Sequence, residues 1–428
     1  MPDLRIISAE ILQSVLEDKV FFAELKNRIA EENRAFANVL ILGTLRNLVP
    51  LQKILNGYLK KKIPHKHRAA RYLLLMAIYE LSEMKTPPYA VINATVKNIR
   101  TKSDKFLAGM ANAILRNVCS DLARIKTALR EGNKLPEDFK AILKGYTKEQ
   151  ISHISESVSL PAAIDLSVKG NHRELSEKLN ALILPNGTLR LKENCKIEQI
   201  CDFAEGKWWV QDVAASLPAL LAGNLNGQTV ADLCAAPGGK TAQLALSADK
   251  IYAFDISASR LERLKENMQR LGLSEKVEVI NADAAEYLNN HPNLKFDTIL
   301  LDAPCSATGT FRRHPEVLHI KTVADVNTQL EIQKKLLDAA AANLKKGGTL
   351  IYSVCSIAKA EGEEQMADFV RRNPDFEIAE LNKDEISAFG TWNDNLIIDN
   401  KAIRTLPYYE QNIGGMDAFF ICKLQKIN

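Results

Sequence analysis

Two spacings of apolar residues divide the chain. Through about the first 130 positions they recur every three or four residues. "RAFANVLILGTLRNL" brings Phe36, Leu40, Ile41, Leu45 and Leu48 onto one helical face. "HRAARYLLLMAIYEL" predicts a second apolar helix, closed by the prolines of "KTPPYA". "INATVKNIR" and "MANAILRNV" predict two more, so an all-α domain is expected over residues 1–132. From about residue 211 the pattern becomes short apolar runs of strand length: "TVADLC", "KIYAFDI", "KVEVINAD", "FDTILLDA" and "TLIYSVC". Helices alternate with them. In "SASRLERLKENMQRLGL", Leu261, Leu264, Met268 and Leu271 share a face, Ser257 is the cap and Gly272 the stop. Such alternation predicts an α/β domain over 211–428, with a parallel sheet covered on both sides. "NLIID" and "MDAFFICKL" predict a closing hairpin that would put an antiparallel strand at one sheet edge. After the linker-like "REGNKLPEDF", residues 133–210 are expected to form a small α+β connecting module. Its helices fall near Lys148–Ser157 and Glu174–Ala181, its strands at Ile164–Val168 and Thr188–Leu191.

Composition narrows the class. With 428 residues, 46% hydrophobic and 25% charged, the chain reads as a soluble protein of two or three domains. No apolar run reaches bilayer length and "MPDLRIISAE" has no signal-peptide pattern, so a cytoplasmic location is expected. Seven cysteines without a C-x-x-C pair argue against a disulfide framework or a zinc site; no metal is expected. No coiled coil is evident, and a monomer is expected. Charge is uneven. Residues 1–130 hold 22 lysines and arginines against 11 acids, a net +11, which leaves −7 for the rest of a chain of overall +4. No acid lies between Asn33 and Tyr79. That window holds Arg34, Arg46, Lys53, Lys60, Lys61, Lys62, Lys66, Arg68 and Arg71. A basic surface without counter-charge points to a polyanion partner.

Candidate chemistry sits where an open α/β sheet binds ligands, at the carboxyl ends of its strands. The first strand ends in "DLCAAPGGK", where Gly238 and Gly239 let backbone N–H groups approach a ligand at a helix start. The second ends in Asp255, about 20 residues on, placed to accept both hydroxyls of a ribose. The third ends in "NAD", with Asp283 placed to meet an adenine amino group. Each feature alone also fits a tight turn or a helix cap; the three in order indicate an adenosine cofactor. The fourth strand delivers Asp302, Pro304 and Cys305, and the fifth delivers Cys355 in "YSVCS". A lone cysteine is usually a small buried hydrophobe. Two at adjacent strand ends suggest nucleophilic chemistry, strengthened by cations for which Lys240, Arg312, Arg313 and His314 are candidates.

"DLCAAPGGK", "LLDAPCSATG" and "VCS" together resemble the RNA cytosine-C5 methyltransferases of the Nol1/Nop2/Sun family. The likeness continues through "WWVQD", "RRHPEV", the "AEGEE" after Cys355, and "RTLPYY…GGMDAFF". The N-terminal helices resemble a NusB-type RNA-binding domain, a pairing similar to that of bacterial enzymes acting on small-subunit ribosomal RNA. The resemblance implies a Rossmann-like methyltransferase domain that uses S-adenosylmethionine on a cytosine of small-subunit rRNA. Cys234, Ala235, Ala236, Pro237, Gly238, Gly239 and Lys240 would line the methionine and ribose side. Asp255 would hold the ribose, Asp283 the adenine, and Asp302 would border both donor and target base. Cys355 would be the nucleophile that adds to C6, and Cys305 would assist product release. Lys240 and Asp302 complete the expected catalytic set.

Some positions depart from the family pattern. Val354 stands where a threonine is usual, which predicts a lost hydrogen bond near the cleft. Lys359 and Ala360 replace Pro-Glu, Ala418 replaces a glycine, and "NATV" at Asn93 replaces Asn-Glu-Ala-Val. Three other readings remain: a non-catalytic RNA-binding assembly factor, the same chemistry on tRNA, and a dinucleotide-dependent oxidoreductase. The last lacks G-x-G-x-x-G.

Overall fold

A computed structural model describes residues 3–102, 105–193, 197–382, 385 and 396–427. The chain divides into two compact units. The first comprises residues 1–141, 146–161 and 311–322; the second comprises 142–145, 162–310 and 323–428. The stretch 133–210 therefore contributes to both. Among the described residues no helix is long and apolar enough to cross a membrane.

The first unit is helical. The predicted helices appear at Arg34–Arg46, Arg68–Glu83, Pro88–Lys102 and Lys105–Ser120, joined by Leu4–Glu17, Leu48–Tyr58 and Leu122–Glu131. The helix Arg68–Glu83 is apolar around most of its circumference and so lies at the centre, burying Leu73, Leu74, Leu75, Met76, Ala77 and Ile78. Gly43 lets a neighbour come close, since a Cβ there would lie 2.1 Å from the Tyr79 ring. Glu80, the acid that ends the basic window, is buried and receives two hydrogen bonds from the Arg5 guanidinium at 2.6 and 2.9 Å. Lys53, Lys60, Lys61, Lys62 and Lys66 are exposed, whereas Arg46 turns inward and donates to the carbonyl of Arg312. The helix Lys148–Ser157 forms where expected, with a Thr147–Gln150 capping box.

Two sheets build the second unit. The smaller holds β1 (Asp165–Val168), β2 (Ala181–Ile183), β3 (Leu189–Leu191) and β4 (Trp208–Val210), all antiparallel in the order β2-β3-β1-β4. The larger begins with β5 (Thr229–Leu233), β6 (Lys250–Asp255), β7 (Val277–Asn281), β8 (Phe296–Asp302) and β9 (Leu344–Val354). These five are parallel and ordered β7-β6-β5-β8-β9. The order reverses between β5 and β8, so a crevice opens at their carboxyl ends. β10 (Phe376–Ile378), β11 (Ile397–Ile398), β12 (Ala402–Arg404) and β13 (Phe420–Lys426) complete this sheet. The expected antiparallel end is there, but β13 is not its edge: it lies between β9 and β12 and also pairs with β10. The expected strand at "NLIID" begins at Asn395, outside the described residues, and is short. Ser257 caps the helix Ala258–Arg270, and Leu261, Leu264, Met268 and Leu271 are buried as its spacing predicts.

Asp165 ties the small sheet into this unit. Its carboxylate takes a bidentate pair from Arg190, at 2.7 and 2.8 Å, and the Val213 N–H; Arg190 also donates to the Ile413 carbonyl. Both side chains are nearly inaccessible. Arg190→Ala would leave a buried carboxylate without its cation, and urea unfolding should show a loss of about 3–5 kcal/mol. A loss under about 1 kcal/mol would mean that the pair is not needed.

The first unit carries a pH-sensitive group. His319 Nε2 lies 2.8 Å from the Leu45 carbonyl, and burial pushes the imidazole pKa down from 6.5 to about 4. The unfolded chain binds this proton at a higher pH than the folded one. The contribution of neutral His319 is therefore present above pH 6.5 and is lost as pH falls toward 4. Thermal melts should show His319→Gln losing less stability over that window than wild type, by on the order of 2 kcal/mol. Parallel pH curves for the two proteins would contradict this.

Candidate active site

The carboxyl ends of β5, β8 and β9 lie level. Leu233 pairs with Leu301, and Asp302 pairs with Ser353. Parallel pairing thus launches three loops from one edge of the sheet.

The β5 loop is the glycine turn. Cys234 and Gly238 have φ of +65° and +100°; Gly238 is the residue before the helix Gly239–Ala245, and a Cβ on it would press on Leu264 at 3.0 Å. The turn is pinned to the neighbouring strand end. The Ala235 N–H donates to the Phe254 carbonyl, and the Ala236 N–H to Asp255 Oδ2 at 3.2 Å. Asp255 also accepts from the Ser257 N–H at 2.9 Å, faces Arg260 at 3.5 Å, and is only 3% exposed. Arg260 in turn donates to the Ala236 carbonyl, and Asn267 to that of Pro237. Asp283 caps the helix Ala284–Asn290, accepting from Ala285 and Glu286 N–H groups, and is exposed. Beneath the turn, burial pushes Asp232 up to about 7; its Oδ2 accepts from Thr241, and its Oδ1 has no hydrogen-bond partner among the described residues.

Across the reversal point the predicted residues converge. Lys240 Nζ lies 2.7 Å from Asp302 Oδ2 and 5.2 Å from the centre of the Phe419 ring. Ser353 donates to the other oxygen, Oδ1, at 2.9 Å. Cys305 Sγ and Cys355 Sγ are 3.3 Å apart although 50 positions separate them. The hydrogen bond to Cys355 pushes the Cys305 thiol well up, with burial and the charges of Cys355 and Glu361 adding to it. Either sulfur can donate across this short contact.

Of the four cations expected beside the thiols, Lys240 lies in the cleft, where its partner is Asp302. The Arg312 Nη2 donates to the Pro161 carbonyl, and His314 lies 3.6 Å from Glu316. Val354 is wholly buried in the apolar cluster that holds Leu233 and Phe420 and against which Cys305 packs, so an apolar group suits it. Ala418 donates its N–H to the Gly309 carbonyl, and a Cβ on Gly309 would lie 2.0 Å from the Ala418 oxygen. Sequence reasoning missed Ser353, Phe419 and a buried hydroxyl cluster of Ser306, Thr308 and Ser356 around Glu361. One signal was available: a serine follows each of the two cysteines.

Comparison with known proteins agrees with this geometry. The family described as 16S rRNA methyltransferase RsmB/F matches residues 219–425, and the NusB family matches 2–120. Ribosomal RNA small subunit methyltransferase B of Vibrio cholerae is 34% identical over 368 residues, spanning 82% of this chain and 84% of that one. Among solved structures, PH0851 superposes with a TM-score of 0.76 at 21% identity, covering 100% of this chain and 99% of that one. NSun6 from Pyrococcus horikoshii, solved with SFG, superposes with a TM-score of 0.58 at 20% identity over 68% of this chain and 98% of that one.

The thiol geometry makes a reactivity prediction. Since Cys355 is the largest cause of the raised Cys305 pKa, Cys355→Ala should lower it and speed alkylation of Cys305 by iodoacetamide. Peptide mass spectrometry, with the exposed Cys201 as internal reference, reads the rate. A slower rate than in wild type would contradict the part assigned to Cys355 in raising the Cys305 thiol.

Proposed function

Because the chain belongs to the RsmB/F family of rRNA methyltransferases, we propose that it transfers a methyl group from S-adenosylmethionine to C5 of a cytosine in small-subunit rRNA. The observation that carries this reading is the pair of thiols at 3.3 Å beside Asp302, at the reversal point of the sheet. A binding protein has no need of such a pair.

The β5 and β6 ends fit an adenosine-bearing donor. A glycine turn at a helix start, a buried carboxylate at Asp255 and an exposed one at Asp283 form an ordered donor set. Cys234, Ala235, Ala236, Pro237, Gly238, Gly239 and Lys240 would line its methionine and ribose side; Asp255 would hold the ribose and Asp283 the adenine. S-adenosylmethionine supplies an electrophilic methyl group when bound. The protein then has to make C5 of cytosine nucleophilic.

Cys355 does this as a thiolate by adding to C6, which gives C5 enamine character. Asp302, held by Lys240 and Ser353, is set to meet the N3 edge of the base, where a proton offsets the charge that develops. After methyl transfer C5 still carries its proton. That proton must leave before the Cys355–C6 bond can break. Cys305 is the base for this step. The hydrogen bond between the sulfurs and burial push its thiol up; once Cys355 is bonded to carbon, the first of these causes is weakened. The base must leave its stack to enter such a cleft, which suits an unpaired loop of RNA. The exposed lysines of the helical unit supply phosphate contacts.

Incubation with labelled S-adenosylmethionine and unmethylated small-subunit rRNA tests this reading. Wild type should yield 5-methylcytosine, Cys355→Ala none, and Cys305→Ala an RNA–protein adduct that survives a denaturing gel. Wild type yielding no 5-methylcytosine on either rRNA or tRNA would leave an assembly role; the adduct in Cys355→Ala instead would exchange the two cysteine roles.

A further inference from the structure

We propose that Glu361 is a positioning residue that sets the spacing of the two thiols, a role that rests on the two-cysteine reading above. Glu361 is wholly buried, and its carboxylate reaches both cysteine loops at once. Oε1 accepts from the Ser306 N–H and from Gln333 Nε2, both at 2.9 Å. Oε2 accepts from the hydroxyls of Ser306 and Ser356, each at 2.5 Å. Ser306 is the residue after Cys305, and Ser356 the residue after Cys355. One rigid planar group therefore holds the residue immediately beyond each sulfur, Ser306 by its N–H and hydroxyl and Ser356 by its hydroxyl.

The surroundings support the same job. Gln333 also donates to the Pro304 carbonyl, so it holds the first loop on the other side of Cys305. The Gly309 N–H donates to the Cys355 carbonyl, and Thr308 accepts from the Ile357 N–H, joining the loops directly. Glu361 is itself anchored, its carbonyl accepting from the buried Tyr352 hydroxyl at 2.7 Å. A buried carboxylate is costly unless its lone pairs are filled. Here three of the four hydrogen bonds that fill them come from the two loops, so the anion is stable only while the loops keep their places. Glu361 touches neither sulfur as a reacting group; it acts through the two serines.

The test reads the thiol spacing in the free protein, without RNA. Treatment with 5,5′-dithiobis(2-nitrobenzoic acid) lets one thiolate displace a thionitrobenzoate and form a mixed disulfide. The second thiol then displaces the other thionitrobenzoate, leaving a Cys305–Cys355 disulfide and releasing its proton. In wild type the second step should be fast, so peptide mass spectrometry finds the closed disulfide. In Glu361→Gln, which offers only one acceptor oxygen, closure should slow tenfold to a hundredfold and the mixed disulfide should persist. Turnover on rRNA should fall by a similar factor with KM for S-adenosylmethionine unchanged, since the glycine turn is untouched. Closure at the wild-type rate in Glu361→Gln overturns the proposal, whatever the melting temperature does. Should that variant not fold, Ser306→Ala and Ser356→Ala each remove one hydroxyl and decide it: slowed closure supports the role and wild-type closure in both overturns it. Slowed closure in a protein that makes no 5-methylcytosine keeps the positioning role and rejects the methyltransferase reading instead.

Discussion

The two sulfurs can meet because β8 and β9 run parallel, side by side and in register at their carboxyl ends. Asp302 pairs with Ser353, so the next turn of chain on each strand carries its cysteine into the same space. Side chains alternate across a strand, and a slip of one residue would send every one of them to the other face. In the observed register Ser353 faces Asp302, Val354 enters the core and the next residue, Cys355, returns toward the cleft. The apolar burial of β8 and β9 holds this register. Ile299, Leu300 and Leu301 are fully buried, as are Leu350, Ile351 and Tyr352 beside them.

Charge is used differently in the two units. On the helical unit Lys53, Lys60, Lys61, Lys62 and Lys66 project into solvent, where they act at longer range and weaken as ionic strength rises. In the α/β unit the decisive charges are paired, and most of them are buried. Asp302 is matched to Lys240, Asp165 to Arg190, Asp255 to backbone N–H groups and Arg260, and Glu361 to hydroxyls and amides. Sequestered charges hold geometry because moving any partner leaves an uncompensated group in a medium of low dielectric. Recognition of a polyanion and control of a reacting pair thus call for opposite treatments of the same residue types.

Much of this was legible in one dimension. The central helix Arg68–Glu83, the capped helix Ala258–Arg270 and the five parallel strands follow local periodicity, and periodicity needs no knowledge of the rest of the chain. The residues at the strand ends could be named because an α/β sheet has only one edge where ligands bind. Local reading does not reach distant partners: Lys240 pairs with Asp302, which lies 62 positions away in the chain. Val354 precedes Cys355, and its full burial among apolar side chains shows only in the folded arrangement.

Spacing, composition and motif settled that this chain holds a basic helical domain and an α/β domain with paired cysteines, because hydrophobic period and residue chemistry are properties of short segments. That the two sulfurs meet, that Lys240 pairs with Asp302 and that one carboxylate spans both loops were settled by the folded arrangement. Those are properties of distance and burial between segments some fifty residues apart. Chain order carries no measure of that distance; the strand pairing creates it.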